Sequence, residues 1–123
     1  MYNEKVLEVF KHPKNMGDLE GANAIGTVGN ATCGDIMQMS LIIENNIIKD
    51  AKFKTFGCVA AIAASSIATE MIIGKTIEEA MQVKNADVVD NLGGLPPQKI
   101  HCSVLAEESI QAAIKNYKKN KRN

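Results

Sequence analysis

Three cysteines, Cys33, Cys58 and Cys102, are the residues of this 123-residue sequence best suited to chemistry. They stand 25 and 44 residues apart. An odd number suits a disulfide framework poorly, so metal binding or thiol chemistry fits better. Each falls at a break between elements. Cys33 lies in Ala31-Thr-Cys-Gly-Asp35, where one strand should end and the next begin. Gly34 lets the backbone turn there and expose its amides. Cys58 follows Gly57, and Cys102 follows Pro96, Pro97, Gln98, Lys99, Ile100 and His101. Both are expected at helix N-termini, where the dipole favours negative charge and lowers a thiol pKa. Thiolate is the form that ligates metal and attacks sulfur. A cysteine acting only as a small hydrophobe would more naturally sit in the middle of an element.

The neighbours extend the site. Asp35 is two residues from Cys33, His101 abuts Cys102, and Lys99 precedes it by three. Asp35 or His101 could supply a fourth ligand beside three thiolates. Such a set fits a closed zinc site or a [2Fe–2S] cluster with one non-cysteine ligand. No CxxC pair is present, which argues against zinc ribbons, zinc fingers and thioredoxin-like centres. A Cys–His nucleophilic enzyme built on His101 and Cys102 is disfavoured, because adjacent helical residues point about 100° apart.

The elements that must hold these residues follow from periodicity. Asn3 to Lys11 reads as a helix with Val6, Leu7 and Phe10 on one face, stopped by Pro13. Ile25 to Thr32 reads as a short edge strand. Asp35 to Ile43 alternates, with Met37, Met39, Leu41 and Ile43 on one side, and Lys49 to Phe56 alternates again. Asn45-Asn46 between them signals a hairpin with a solvated polar face. Cys58 to Ile73 is an Ala-rich helix closed by Gly74. Thr76-Ile-Glu-Glu79 opens a short helix through a capping box. Asn85 caps another to Leu92, and Gly93-Gly-Leu-Pro-Pro97 breaks it. A last helix is expected from His101 to Lys118, with Cys102, Ala106, Ile110, Ala113, Ile114 and Tyr117 on its buried face. This order predicts an α+β fold, a single domain over 1–123 with helices on one face of an antiparallel sheet.

The bulk numbers narrow the function. Lys plus Arg and Asp plus Glu are each 14, so no global field draws the chain to nucleic acid or an anionic membrane. The basic residues Lys115, Lys118, Lys119, Lys121 and Arg122 favour the negative end of a terminal helix. Apolar runs are interrupted by Ser65, Ser66 and Thr69, or by Glu44, and none approaches the ~20 residues of a membrane span. The first residues lack the layout of a secretory signal, so a cytoplasmic, reducing location is expected.

Together these segments closely resemble the IscU-type iron–sulfur scaffold family, which includes the N-terminal domain of NifU. The matching parts are Val9-Phe-Lys-His-Pro-Lys-Asn-Met-Gly17, Cys33-Gly-Asp35, Lys52-Phe-Lys-Thr-Phe-Gly-Cys58, Ala61-Ile-Ala-Ala-Ser-Ser66 and Leu95-Pro-Pro-Gln-Lys-Ile-His-Cys-Ser103. The last is the most specific. The resemblance implies a three-stranded antiparallel sheet with helices on one face. It implies a non-enzymatic scaffold that assembles [2Fe–2S] clusters from Fe2+ and desulfurase-derived sulfur and passes them to apo-acceptor proteins. Cys33, Asp35, Cys58, His101 and Cys102 would hold the cluster or a Zn2+ ion. Cys102 would accept persulfide sulfur from a cysteine desulfurase, supported by Lys99. Leu95, Pro96, Pro97, Gln98 and Lys99 would form the segment grasped by DnaK/DnaJ-type chaperones. An iron donor or frataxin-like regulator is a further implied partner. The chain has Gln98 where the family usually has Val, and Val59-Ala60 where Gly-Ser is commoner. SufU-type relatives, zinc-dependent sulfur acceptors, usually carry an insertion before the position of Thr76. Its absence here favours the scaffold over a zinc-bound sulfurtransferase accessory protein.

Overall fold

Alternation along residues 35–56 builds the centre of the fold. The computed structural model describes residues 2–30 and 35–121. Cys33, Gly34 and the expected strand end at Thr32 lie outside the described residues, as does Arg122. Strands β2 (Asp35–Glu44) and β3 (Ile47–Phe56) pair antiparallel, and β1 (Ala24–Asn30) adds to the free side of β2, giving the order β1-β2-β3. The turn is the pair Asn45-Asn46, with φ of 53° and 67°. Positive φ at both central residues matches the twist of a two-residue hairpin, and Asn tolerates it. Strand β3 therefore begins two residues earlier than the alternation suggested.

Met37, Met39, Leu41 and Ile43 of β2 and Ala51 and Phe53 of β3 are buried, and Lys54 and Phe56 are exposed. One face of the sheet thus carries the core. It is covered by α2 (Val59–Ile72) and α5 (Ile100–Lys121), with α1 (Glu4–Lys11) packed on α2 and α4 (Asn85–Asn91) on α5. The expected buried face of α5 is observed, with Tyr117 half-buried at its end. The α+β architecture is that expected.

Several local expectations change. Only Val6 of α1 is buried, and Leu7 and Phe10 face solvent. The cap of α4 is Lys84, not Asn85: Asp87 accepts from the Lys84 amide at 2.9 Å, while the Asn85 amide donates to Glu107 Oε1 at 2.6 Å. Helix α5 starts at Ile100 after a 3-10 turn at Pro97–Lys99 and runs to Lys121. Thr76 forms its capping box with Glu79, opening α3 (Ile77–Met81) as expected. The polar interruptions of α2 are buried yet bonded: Ser65 Oγ donates to Ala61 O, and Thr69 Oγ1 to Ser66 O. No helix among the described residues is long and apolar enough to cross a membrane.

The edge of β3 is covered. Phe53 N donates to Asn15 O and Gly17 N to Phe53 O, both at 2.8 Å. On the far side, Asn116 Oδ1 of α5 accepts from Ile25 N at 3.0 Å. Covered edges resist pairing with other chains and fix where the ends of the strands lie.

Candidate metal centre

The site forms where three element ends meet: the start of β2, the join of β3 to α2, and the first turn of α5. Asp35 opens β2 and is nearly buried. Cys58 is the N-cap of α2, with its carbonyl accepting from Ala61 N and Ile62 N at 3.0 and 3.2 Å. Cys102 is the third residue of α5 and is fully buried. His101 beside it has a side chain 47 % exposed, against 12 % for Asp35.

Four ligand-type atoms run in a chain. Cys58 Sγ lies 3.8 Å from Cys102 Sγ, Cys102 Sγ lies 3.6 Å from His101 Nε2, and His101 Nε2 lies 2.7 Å from Asp35 Oδ2. Ligand atoms of Asp35, His101 and Cys102 all fall within 4.8 Å of one another. These spacings can be tested against metal geometry. Two thiolates at about 2.3 Å from one tetrahedral ion stand about 3.8 Å apart, and a thiolate and an imidazole nitrogen about 3.6 Å. The first two spacings match. A carboxylate oxygen and an imidazole nitrogen on one such ion would stand about 3.4 Å apart. The 2.7 Å between Asp35 and His101 is a hydrogen bond instead. One of the two can ligate while the other orients it, or the pair must open.

The same distances exclude a nucleophilic triad. His101 approaches Cys102 more closely than helix geometry alone suggested. Yet Cys102 and Asp35 meet the same ring nitrogen, whereas a relay needs the nucleophile on one nitrogen and the orienting carboxylate on the other. The Asp35, His101 and Cys102 ligand atoms cluster together, as ligands do.

The two described thiols are pushed in opposite directions. Burial pushes Cys58 up, but the Ala61 amide, the Cys102 thiol, the Ala60 amide and the Lys99 ammonium outweigh it and leave the thiol below its ordinary range. Cys102 behaves oppositely to the expectation for a helix start. Burial, and then the negative charge of Cys58, push it up to about 12. Lys99 is raised in turn, first by Cys58 and then by Tyr2. The sign for stability follows. Keeping Cys102 neutral stabilises the fold below the ordinary thiol pKa, and this is lost as pH rises toward about 12. We predict that iodoacetamide near neutral pH labels Cys58 on the order of tenfold faster than Cys102 in the metal-free protein. Peptide mass mapping reads this directly, and equal labelling of the two contradicts the assignment.

Tyr2 is a neighbour that sequence reasoning missed. Burial, followed by the Cys58 charge, raises the pKa of its hydroxyl. Asn3 fixes the segment, donating through Nδ2 to Leu92 O at 3.0 Å and Gly94 O at 3.3 Å. No local pattern links residue 2 to residue 58. Cys33 lies outside the described residues. Leu95 and Pro96 are half-buried, Pro97 and Gln98 are exposed, and all four lie in the turn that leads into α5.

Sheet, helices and clustered thiol, imidazole and carboxylate groups define an α+β protein with a candidate metal site where three element ends meet. Residues 1–123 match the family described as NifU-like N terminal domain. The chain is 52 % identical over 117 residues to iron-sulfur cluster assembly scaffold protein IscU 1 of Archaeoglobus fulgidus, covering 95 % of this chain and 76 % of that one. It is 48 % identical over 124 residues to the IscU scaffold of Azotobacter vinelandii, covering 98 % and 96 %. Its fold is similar to that of a candidate SUF-system scaffold (FiSufU) from Fervidobacterium islandicum AW-1. That likeness has a TM-score of 0.78 at 24 % identity and covers 92 % and 96 % of the two chains. The chain belongs to the IscU/NifU N-terminal family of iron–sulfur cluster assembly scaffolds.

Proposed function

We propose that residues 1–123 act as one scaffold unit that assembles [2Fe–2S] clusters and passes them to apo-acceptor proteins, without turning over a substrate as an enzyme does. The observation that carries this reading is the clustering of Cys102, His101 and Asp35, whose ligand atoms lie within 4.8 Å of one another, with Cys58 Sγ 3.8 Å from Cys102 Sγ. Cys33 joins them as the third thiolate. Thiolates suit iron–sulfur units, and a single hard carboxylate among them makes one position exchangeable.

Sulfur arrives from a cysteine desulfurase. The Cys102 thiolate attacks the outer sulfur of the donor persulfide, and the donor cysteine leaves as thiolate. Cys102 rests buried and protonated. Docking of the donor must therefore open the site and draw the proton away, with the Lys99 ammonium stabilising the thiolate that forms. Fe2+ comes from an iron donor or under a frataxin-like regulator. The run Leu95, Pro96, Pro97, Gln98 and Lys99, exposed at Pro97 and Gln98, is the segment a DnaK/DnaJ-type pair would grasp for release. Pro97 and Gln98 present accessible backbone and side chain there. The work takes place in the cytoplasm.

A second reading has a specific observation behind it. The 3.8 Å between Cys58 and Cys102 fits two thiolates on one zinc ion, as in a zinc-bound sulfurtransferase accessory protein of SufU type. Anaerobic reconstitution with iron, cysteine and a desulfurase separates the two. The scaffold gives a visible iron–sulfur absorption band that disappears in Cys33→Ala, Cys58→Ala and Cys102→Ala. Stoichiometric zinc with no such band establishes the alternative.

A further inference from the structure

Gly57 joins the last residue of β3 to Cys58, and its φ lies outside the left-handed region that favours glycine. Its lack of a side chain serves space. A β-carbon built on it would stand 2.7 Å from the Ala61 β-carbon and 2.8 Å from Oδ1 of Asp35. Both are well inside the contact distance of about 3.5 Å. The two obstacles differ in freedom. Ala61 is buried in the first turn of α2 and anchored by its amide to Cys58 O. The Asp35 carboxylate can turn about its own side-chain bonds. Turning Oδ1 away from residue 57 carries Oδ2 with it, and Oδ2 is the atom held 2.7 Å from His101 Nε2.

We propose that Gly57 is a positioning residue of the centre: its missing side chain reserves the volume in which the Asp35 carboxylate holds His101 beside the Cys102 thiol. A methyl group there displaces the carboxylate and leaves every ligand residue in the chain. The geometric part stands on the structure alone. Its consequence for the cluster rests on the scaffold reading above.

The test uses the full chain as Gly57→Ala, Asp35→Ala and the double variant. The chain has 2 histidines, His101 and the exposed His12 that ends α1, so imidazole proton–nitrogen spectra assign without ambiguity. In the metal-free Gly57→Ala protein the His101 signals are expected to move to the positions seen in Asp35→Ala, with His12 unmoved. The double variant should match Asp35→Ala, because the carboxylate is the route of the effect. His101 signals unchanged from the parent overturn the inference whatever the cluster does. Adding Ala61→Gly to Gly57→Ala removes the contact with α2 and leaves that with Asp35. It keeps the test open if Gly57→Ala alone folds poorly. His101 must still be displaced in it, and a return to the parent spectrum also overturns the inference. In reconstituted protein, cluster transfer should slow by the same factor as in Asp35→Ala. A parent that forms no cluster refutes the scaffold reading, while the imidazole spectra still decide the role of Gly57.

Discussion

Gly26→Ala is expected to lower the melting temperature by roughly 10 °C or more. Strand β1 meets α5 at this residue without a side chain between them. A β-carbon there would overlap the backbone nitrogen of Ala113 and would lie 2.6 Å from the Ala112 carbonyl carbon and 2.7 Å from the Ala112 β-carbon. A glycine inside a strand weakens it, and a close backbone approach is one reason to keep one. Overfilling a packed core costs about 1–3 kcal/mol, and the obstacle here is helix backbone, which cannot rotate aside. The upper end of that range applies. Ala112→Gly should not rescue the variant, because it removes the Ala112 β-carbon but leaves the main-chain atoms of residues 112 and 113 in the way. The damage also reaches the metal centre, since α5 carries His101 and Cys102 at its first turn. Circular dichroism on heating reads the effect. A melting temperature within about 2 °C of the parent would mean that α5 can ride away from β1 freely.

The hairpin and the core face of α5 were legible because each depends on local pattern. Alternation from Met37 to Ile43 places one set of side chains inward, and Asn45-Asn46 tolerates the turn the register needs. The order of elements was enough for the architecture. What could not be read depends on distant partners. Helical spacing put Val6, Leu7 and Phe10 on one face, but how far α1 rolls onto α2 decided that only Val6 is buried. Asn85 looks like a cap in sequence, yet Glu107, 22 residues away, takes its amide. The site divides in the same way. Residue type and the positions of Cys58 and Cys102 at element ends were visible, and so was the low pKa of a capping Cys58. The opposite shift of Cys102 was not, because it follows from burial and from a second sulfur 44 residues away in the chain. Nor was the Asp35–His101 bond across 66 residues, which only the joining of β2 to α5 creates.

That bond leads to the second large effect. On the scaffold function proposed above, a [2Fe–2S] cluster assembled on Asp35→Ala is expected to leave for an acceptor on the order of tenfold more slowly, about 1.4 kcal/mol in barrier. A carboxylate is a hard donor among soft thiolates, so under the proposed ligand set its bond to iron would be the first an incoming acceptor thiolate displaces. Without it, His101 is released from its 2.7 Å hydrogen bond and is free to take the position. The remaining donors then exchange less readily. Stability should change little, since His101 is nearly half exposed and water replaces its lost partner; half-exposed pairs of this kind contribute about 0–1 kcal/mol. Asp35→Asn separates charge from shape. Its amide oxygen still accepts from the imidazole, but it is a poorer iron ligand. A lifetime near that of Asp35→Ala therefore assigns the effect to ligand charge, and one near the parent assigns it to the orientation of His101. The measurement is the decay of cluster absorbance on mixing with an apo-ferredoxin, anaerobically, for the three proteins. If the Asp35→Ala cluster leaves as fast as the parent's, the carboxylate is not the exchangeable ligand, and lability must come from His101 or from opening of the first turn of α5.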